Sequence, residues 1–228
     1  MIRLSSADTT EAVEEAPVTD EAREQLVADL VADLGDAVVG THIAPGIDAW
    51  VRVSREAWRE AAFVLRDRLG MRYFQFLSVI DWLPSPYGKN EDSPTDERPE
   101  PSTEIVTGYA GGDTRFQMFA RVHSLPQKLG ITVKADLPDD DLSIASWLPA
   151  YAGVNWHERE AHEMFGIDFV GHPHLVHLYL PGAFEGYPLR KDFPLLARQV
   201  KPWPGIVDVE PMPSDGDDAE SEGEGEES

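Results

Sequence analysis

The sequence predicts an α+β fold, with a mixed or antiparallel sheet flanked by helices and followed by a long irregular C-terminal strap. Amphipathic patterns alternate with β-rich segments over residues 20–166, which predicts one globular domain. From residue 167 onward, Pro and Gly interrupt every regular pattern, although large apolar side chains remain frequent. We therefore expect residues 167–212, the C-terminal strap, to bury these side chains against a partner surface.

Two helices are predicted in the first half of the domain. Apolar side chains recur every three or four residues in residues 20–34 and again after Ser54, which is a suitable N-cap. A glycine follows each pattern, Gly35 and Gly70, as is common at the C-terminal end of a helix. Both segments are therefore expected to be amphipathic helices.

The sheet is predicted from runs of β-branched and aromatic residues. The expected strands cover residues 37–43, 48–53, 73–83, 104–110, 115–123 and 130–135. The alternative for residues 73–83 is a shorter strand followed by a turn. The Gly-Gly-Asp sequence at residues 111–113 predicts a hairpin between the fourth and fifth of these strands. Residues 84–101 are rich in Pro, Ser, Asp and Glu, and we expect them to form a mobile loop.

Two further helices are predicted before the strap. Ser143 would begin a short helix that Pro149 breaks. Asn155 would cap a second helix at residues 156–165, which would stop at Gly166. The sheet is therefore expected to have helices flanking it.

The two ends of the chain are acidic. The formal net charge of the 228 residues is −23, to which residues 213–228 contribute −8 and residues 1–24 contribute −5. Such segments cannot bury enough apolar surface to offset their ordering entropy, so residues 1–19 and 213–228 are expected to be disordered. The acidic balance also disfavours nucleic acid as a partner.

The chain contains no cysteine. Disulfides, a thiolate nucleophile and cysteine-ligated zinc or iron–sulfur clusters are therefore excluded. The first residues lack the apolar core of a secretory signal, and no segment approaches the roughly 18 apolar residues of a membrane span. We expect a cytoplasmic protein that is at most peripheral to a membrane.

One cluster has the chemistry of a metal site. Its members are His157, Glu158, Glu160, His162 and Glu163, followed by His172, His174 and His177. A helical metalloprotease motif needs histidines four residues apart, whereas here they are five apart and only Glu158 and His162 share a face. We favour a surface pair between these two, with Glu160 or Glu163 bonded to Arg159 or elsewhere in the chain. A metal hydrolase built on Glu158 and His162 is the alternative.

Other catalytic motifs are missing from the sequence. Neither GxGxxG nor GxxxxGK[ST] occurs, and no serine lies in a GxSxG elbow. The glycines at positions 108, 111 and 112 have the spacing of a hairpin instead. No nucleotide site or hydrolytic triad is therefore predicted.

Residues 155–194, NWHEREAHEMFGIDFVGHPHLVHLYLPGAFEGYPLRKDFP, carry the longest ordered motif. This segment resembles the thirty-kilodalton subunit, or C subunit, of bacterial NADH-quinone oxidoreductase, which is respiratory complex I. The family signature runs ERE, MFGI, F-x-GHP, a leucine-rich stretch and EG-x-PLRKD-aromatic-P. The matching residues are Glu158, Arg159, Glu160, Met164, Phe165, Gly166, Ile167, Phe169, Gly171, His172, Pro173, Glu185, Gly186, Pro188, Leu189, Arg190, Lys191, Asp192, Phe193 and Pro194.

The sequence departs from that signature in three places. Glu163 stands where the family usually has Asp, Val176-His177 replaces an arginine pair, and Tyr187 replaces His. Loss of the arginine pair is the departure that we expect to alter a polar contact.

The resemblance implies an accessory, cofactor-free subunit in the peripheral arm of proton-translocating NADH:quinone oxidoreductase, on the cytoplasmic side of the cell membrane. FMN and iron–sulfur clusters would lie in other subunits, and the quinone-site and cluster-bearing subunits would be the partners. The signature residues would form the interface, with Arg190, Lys191 and Asp192 making charge-assisted contacts. The alternative interpretation of the resemblance is that the chain belongs to a related hydrogenase or dehydrogenase assembly that shares this domain.

Overall fold

The computed structural model describes residues 19–84 and 102–193. Predictions for the acidic ends, for most of the 84–101 loop and for the strap after residue 193 lie outside the described residues. Within them, five strands form one mixed sheet, in the order β1-β2-β5-β4-β3, and two short strands form a separate pair. The strands are β1 (Val38–Ala44), β2 (Asp48–Val53), β3 (Tyr73–Asp81), β4 (Phe116–Ser124), β5 (Leu129–Leu137), β6 (Ser143–Ala145) and β7 (Asp168–Val170), and the helices are α1 (Glu21–Leu34), α2 (Trp58–Phe63) and α3 (Val154–Phe165).

The five-stranded sheet has one apolar and one polar face. Strands β2 and β5 are parallel and the other neighbours are antiparallel, in a register that aligns Val51, Val133, Ala120 and Leu77 across four strands. Because side chains alternate along a strand, these residues share one face. Their side chains and those of the three helices form one buried apolar cluster. The predicted α+β class, with helices against a mixed sheet, is confirmed.

Helix α1 begins and ends where the sequence predicts. The Asp20 carboxylate accepts the Arg23 N–H at 3.2 Å and the Gly46 N–H at 2.8 Å. The N-cap therefore also ties the helix to the β1–β2 turn. Gly35 ends the helix with a φ of 56°, in the left-handed region that favours glycine.

Helix α2 is less regular than predicted. Ser54 makes no side-chain cap hydrogen bond, and a 3₁₀ turn at Arg55–Ala57 precedes the helix while a wider π turn, Val64–Arg68, follows it. The buried ring of Trp58 stacks on Trp147 at a centroid distance of 4.5 Å. Trp147 also donates from its indole N–H to the Trp58 carbonyl at 2.8 Å, which fixes α2 against the chain before α3.

The predicted strand at residues 104–110 and its hairpin are wrong. Residues 102–108 form no strand, and β4 pairs with β3 and β5. The Lys134 ammonium donates to the carbonyls of Tyr109 and Gly111 at 2.8 and 3.1 Å, and the Gln117 amide donates to Gly111 at 3.1 Å. These carbonyls therefore bind side chains on the polar face of the sheet instead of a strand ladder.

The predicted short helix after Ser143 is also wrong. Residues 143–145 form β6, which pairs in parallel with β7 through Ile144 and Phe169, both almost fully buried. The pairing continues when the Ser146 N–H donates to the Val170 carbonyl at 3.0 Å. Burial of these apolar side chains between two chain segments outweighs the local helical pattern.

Helix α3 starts slightly earlier than predicted. Gly153 precedes its first residue, Val154, so Asn155 lies inside the helix and is not its cap. The helix ends at Gly166, as predicted. No helix in the described ranges is long and apolar enough to cross a membrane.

Replacing Lys134, which is 1% exposed, with Met should flatten the pH dependence of stability between about 8 and 10.5. Burial lowers the pKa of Lys134 from 10.5 to about 8, so the unfolded chain binds more protons in that window. The wild-type free energy of unfolding should therefore rise with pH there, by roughly 3 kcal/mol, and the variant should lack this rise. Urea unfolding of both full chains measures it. Lys128→Met, at an exposed turn, should follow the wild type, and a Lys134→Met curve parallel to it would contradict the prediction.

Candidate functional site

Glu158, the first signature residue, lies inside the domain. Its carboxylate is 0% exposed and accepts hydrogen bonds from the Ser146 hydroxyl and the Trp147 N–H, both at 2.6 Å. Burial raises the pKa of Glu158 to about 7, although these two hydrogen bonds act to lower it. The predicted surface pair with His162 is therefore wrong, because His162 Nδ1 instead lies 2.8 Å from the Ile167 carbonyl.

The positions of Glu158 and His162 do not favour the metal-hydrolase alternative. Glu158 and His162 turn their polar atoms to different partners and do not meet at one point. In the part of the chain that the structure describes, no group of three or more His, Asp or Glu side chains could hold a metal ion. The helical cluster is thus built to bind the chain itself.

Two side chains of helix α3 bind backbone atoms of the strap. The Arg159 guanidinium donates to the carbonyls of Val176 and His177, each at 2.9 Å. One turn later, the Glu163 carboxylate accepts the N–H groups of three successive residues, Leu178, Tyr179 and Leu180. Burial acts to raise the pKa of Glu163, but these N–H groups outweigh it and the pKa is lowered. The prediction that Glu163 bonds elsewhere in the chain is confirmed.

The departure at Val176-His177 does not remove this contact. Arg159 binds the carbonyls of these residues, which any side chain would leave in place. Tyr187, the other departure in the strap, faces the Arg190 guanidinium at 4.3 Å from its ring centroid. The structure therefore accommodates both replacements within its own contacts.

Gly166 lets the end of the strap approach helix α3. Its φ of 76° is left-handed, and a Cβ there would lie 2.6 Å from Tyr187 Cζ and 2.7 Å from an Arg190 guanidinium nitrogen. Arg190 Nε donates to the Phe165 carbonyl at 2.7 Å, one residue before that glycine. A glycine is required for the backbone turn and for the space that Arg190 occupies.

Asp81, at the end of β3, binds the PLRKD segment. Its carboxylate accepts from Arg115 at 2.9 and 2.8 Å and from the Lys191 N–H at 2.8 Å. Arg115 also pairs with the Asp192 carboxylate at 3.0 Å. Burial acts to raise the pKa of Asp81, but Arg115 and the backbone N–H groups outweigh it and lower that pKa. The sequence did not identify Asp81 or Arg115, because no local pattern links them to residues far along the chain.

Of the other signature residues, Ile167 and Phe169 are buried in the apolar core, and several others lie nearer the surface. His172 Nδ1 accepts the His174 N–H at 3.1 Å, and a Cβ at Gly171 would lie 2.9 Å from an Arg59 guanidinium nitrogen. Glu160 makes no side-chain hydrogen bond within the described ranges. Residues Pro173, Gly186 and Leu189 are exposed, Pro188 is half-buried, and Pro194 lies outside the described residues.

Fold and site together define an α+β domain that binds its own C-terminal strap along one helix and one strand end. The family model of the thirty-kilodalton subunit of respiratory-chain NADH dehydrogenase matches residues 51–199, and the chain belongs to this family. The resemblance of residues 155–194 is thereby confirmed.

Two bacterial relatives are similar to this chain. The C/D subunit of NADH-quinone oxidoreductase from Pseudomonas fluorescens (strain SBW25) is 33% identical over 173 residues, which cover 75% of this chain and 28% of the relative. The C subunit of the same enzyme from Citrifermentans bemidjiense is 43% identical over 97 residues, covering 42% of this chain and 60% of the relative. The chain therefore spans less than two thirds of the length of either relative.

A solved structure shares the fold. A chain of the archaeal membrane-bound sulfane sulfur reductase, a respiratory membrane complex, aligns with a TM-score of 0.52 and 16% identity. The alignment covers 76% of this chain and 86% of that chain. This likeness concerns the fold alone.

Replacing Glu158 with Gln should remove a fall in stability between about pH 4.5 and 7. Glu158 loses its proton near 4.5 when unfolded and near 7 when folded, so the folded state binds more protons in this window. The wild-type free energy of unfolding should therefore drop as pH rises through this window, by roughly 3 kcal/mol. Chemical unfolding across that range measures the slopes. Glu160→Gln serves as the control, and equal slopes for Glu158→Gln and wild type would refute the prediction.

Replacing Glu163 with Ala should expose the backbone of the strap. The N–H groups of residues 178–180 lose their common acceptor, so their exchange with deuterium should accelerate by at least about tenfold. Hydrogen exchange followed by mass spectrometry of the full chain measures it. Glu160→Ala, on the same helix, should leave these rates unchanged, and unchanged rates in Glu163→Ala would show that the carboxylate does not hold the strap.

Proposed function

We propose that this chain is an accessory subunit of the peripheral arm of proton-translocating NADH:quinone oxidoreductase, with no cofactor and no active site of its own. Its membership of the family supports the assembly. FMN and the iron–sulfur clusters that carry electrons from NADH to quinone would lie in other subunits. The chain would meet the cell membrane only through the complex, on the cytoplasmic side.

The fastening of the strap is the observation that supports a scaffolding role. Arg159 and Glu163 bind it through backbone atoms of residues 176–180, so these contacts do not use the side chains of those residues. Tyr179 is 63% exposed although its N–H is bonded, and Val176 and Leu189 are also exposed. Apolar groups that are exposed on a fixed backbone are typical of protein–protein interfaces.

The D polypeptide of the oxidoreductase is the first partner that we propose. The Pseudomonas relative carries the double name C/D, and this chain matches only 28% of its length. The rest of that polypeptide has room for a D part joined to a C part. Parts that can be joined in one chain must lie within reach of each other in the assembly, which supports the D polypeptide as a neighbour.

We propose that the chain is divided into a domain at residues 20–166 and the C-terminal strap at residues 167–212. Hydrogen bonds from α3 and β3 to strap residues up to Lys191 support a strap that begins on its own domain. Its partners would include the quinone-site and cluster-bearing subunits. The role of the chain would be to stabilise the assembled arm.

Affinity purification of the full chain from its own cells in mild detergent should recover flavin- and cluster-bearing subunits together with NADH:quinone activity. Glu163→Ala should lower the amount of recovered complex several-fold, because the strap would no longer be presented in one position. Glu160→Ala is the matched control and should recover the wild-type amount.

Other outcomes of this purification separate the alternatives. Recovery with hydrogenase subunits and without NADH oxidation would place the chain in a related assembly. Recovery of the chain alone, with a bound metal, would refute the proposal in favour of a hydrolase.

A further inference from the structure

The PLRKD segment has a fixed backbone. The Arg190 N–H donates to the Tyr187 carbonyl at 3.2 Å and the Phe193 N–H to the Arg190 carbonyl at 3.0 Å, which makes two consecutive turns. The Leu189 N–H donates to the Met164 carbonyl at 3.2 Å, and the Lys191 N–H donates to Asp81 at 2.8 Å. Leu189 and Lys191 are therefore both fastened to the domain by their main chain.

Two charged side chains of the segment contact the domain. Arg190 donates to the Phe165 carbonyl and lies against the rings of Tyr187 and Phe116. Asp192 pairs with Arg115. Both residues therefore have a structural role within this chain, in addition to the partner contacts that the resemblance implies.

Unlike that of Arg190, the side chains of Leu189 and Lys191 are exposed to solvent. Leu189 is 52% exposed, and Lys191 is exposed with no hydrogen bond or ion pair to its ammonium group from residues 19–84 or 102–193. The carboxylates of Asp81, which binds the Lys191 N–H, and of the adjacent Asp192 are both bonded to Arg115. An exposed apolar residue and an exposed cation thus lie two residues apart on a backbone that the domain already fixes.

We propose that Leu189 and Lys191 are a contact point for a neighbouring subunit, which places a carboxylate against the Lys191 ammonium and an apolar side chain against Leu189. This inference rests on the proposed function. Lysine is a compact, strongly hydrated charge that pairs with a carboxylate, and pairing is strongest where an adjacent apolar contact excludes water. Because the backbone is fixed before assembly, only these side chains must be ordered on binding.

Carbodiimide cross-linking of the purified complex tests the carboxylate. This reagent joins an ammonium to a carboxylate only when the two are in contact, by forming an amide bond while water is transferred to the carbodiimide. Mass spectrometry should find the side chain of residue 191 joined to an Asp or Glu of another subunit. Cross-links from Lys191 that reach only this chain, or none, would overturn the proposal.

Matched variants test the energetic role. Lys191→Glu should lower the recovered complex by about tenfold and Leu189→Ser several-fold, whereas Lys191→Arg should retain most of it. Lys128→Glu and Leu125→Ser are the controls, because both residues are exposed on the β4–β5 turn. Recovery of Lys191→Glu and Leu189→Ser at the level of these controls would overturn the inference.

Folding and assembly are kept apart in this design. The full-chain variants should unfold in urea at the wild-type midpoint, because neither side chain bonds within the described domain. A midpoint lowered in Lys191→Glu but not in Lys128→Glu would show a structural role and overturn the proposal. If the wild-type chain itself recovers no respiratory subunits, the proposed function fails, which is a different result from normal recovery of the variants.

Discussion

The buried ion pair between Asp81 and Arg115 is the interaction on which the position of the strap depends. Asp81 is 5% exposed and ends β3, while Arg115 directly precedes β4, so the pair closes the ladder between these strands. The remaining acceptor capacity of the carboxylate binds the N–H groups of Leu83 and Lys191. A buried carboxylate must have its hydrogen bonds satisfied, and here one partner comes from 110 residues away. The strap thereby completes the site that holds it.

A second principle of the site is that carboxylates bind backbone N–H groups. Glu158 accepts from Trp147, and Glu163 accepts from three successive residues of the strap. Such contacts fix the position of a chain segment while placing no demand on its side chains. The Arg159 guanidinium likewise binds backbone atoms, here two carbonyls, so Val176-His177 can replace an arginine pair without loss of this contact. Constraint falls on the acidic residues and on Gly166, whereas the outward side chains can vary with the partner.

The sequence predicted the elements whose signals are local. Helix α1, the end of α3 at Gly166 and strands β2, β4 and β5 follow from periodicity and glycine placement. Residues 104–110 and 143–146 were predicted wrongly because their backbone partners, Lys134 and β7, are distant in sequence. Within the site, the motif identified the strap and α3, but spacing alone could not tell that Glu158 faces the core. Asp81 and Arg115 have no local signal, since their role depends on the pairing of β3 with β4.

Fixing the strap within its own domain changes what assembly must supply. If its backbone were free until a partner arrived, ordering each residue would oppose binding by roughly 1–2 kcal/mol. The hydrogen bonds of Arg159, Glu163, Asp81 and Arg190 meet that requirement in the separate domain. In the proposed assembly, an exposed side chain such as Tyr179 would then contribute to affinity with little further loss of entropy. Apart from the strap contacts, Glu158 and Lys134 are buried ionisable groups of the domain, and burial shifts the pKa of each in the direction that favours its neutral form. A domain that gains stability from its neighbours can retain such groups, because binding to the folded state shifts the folding equilibrium.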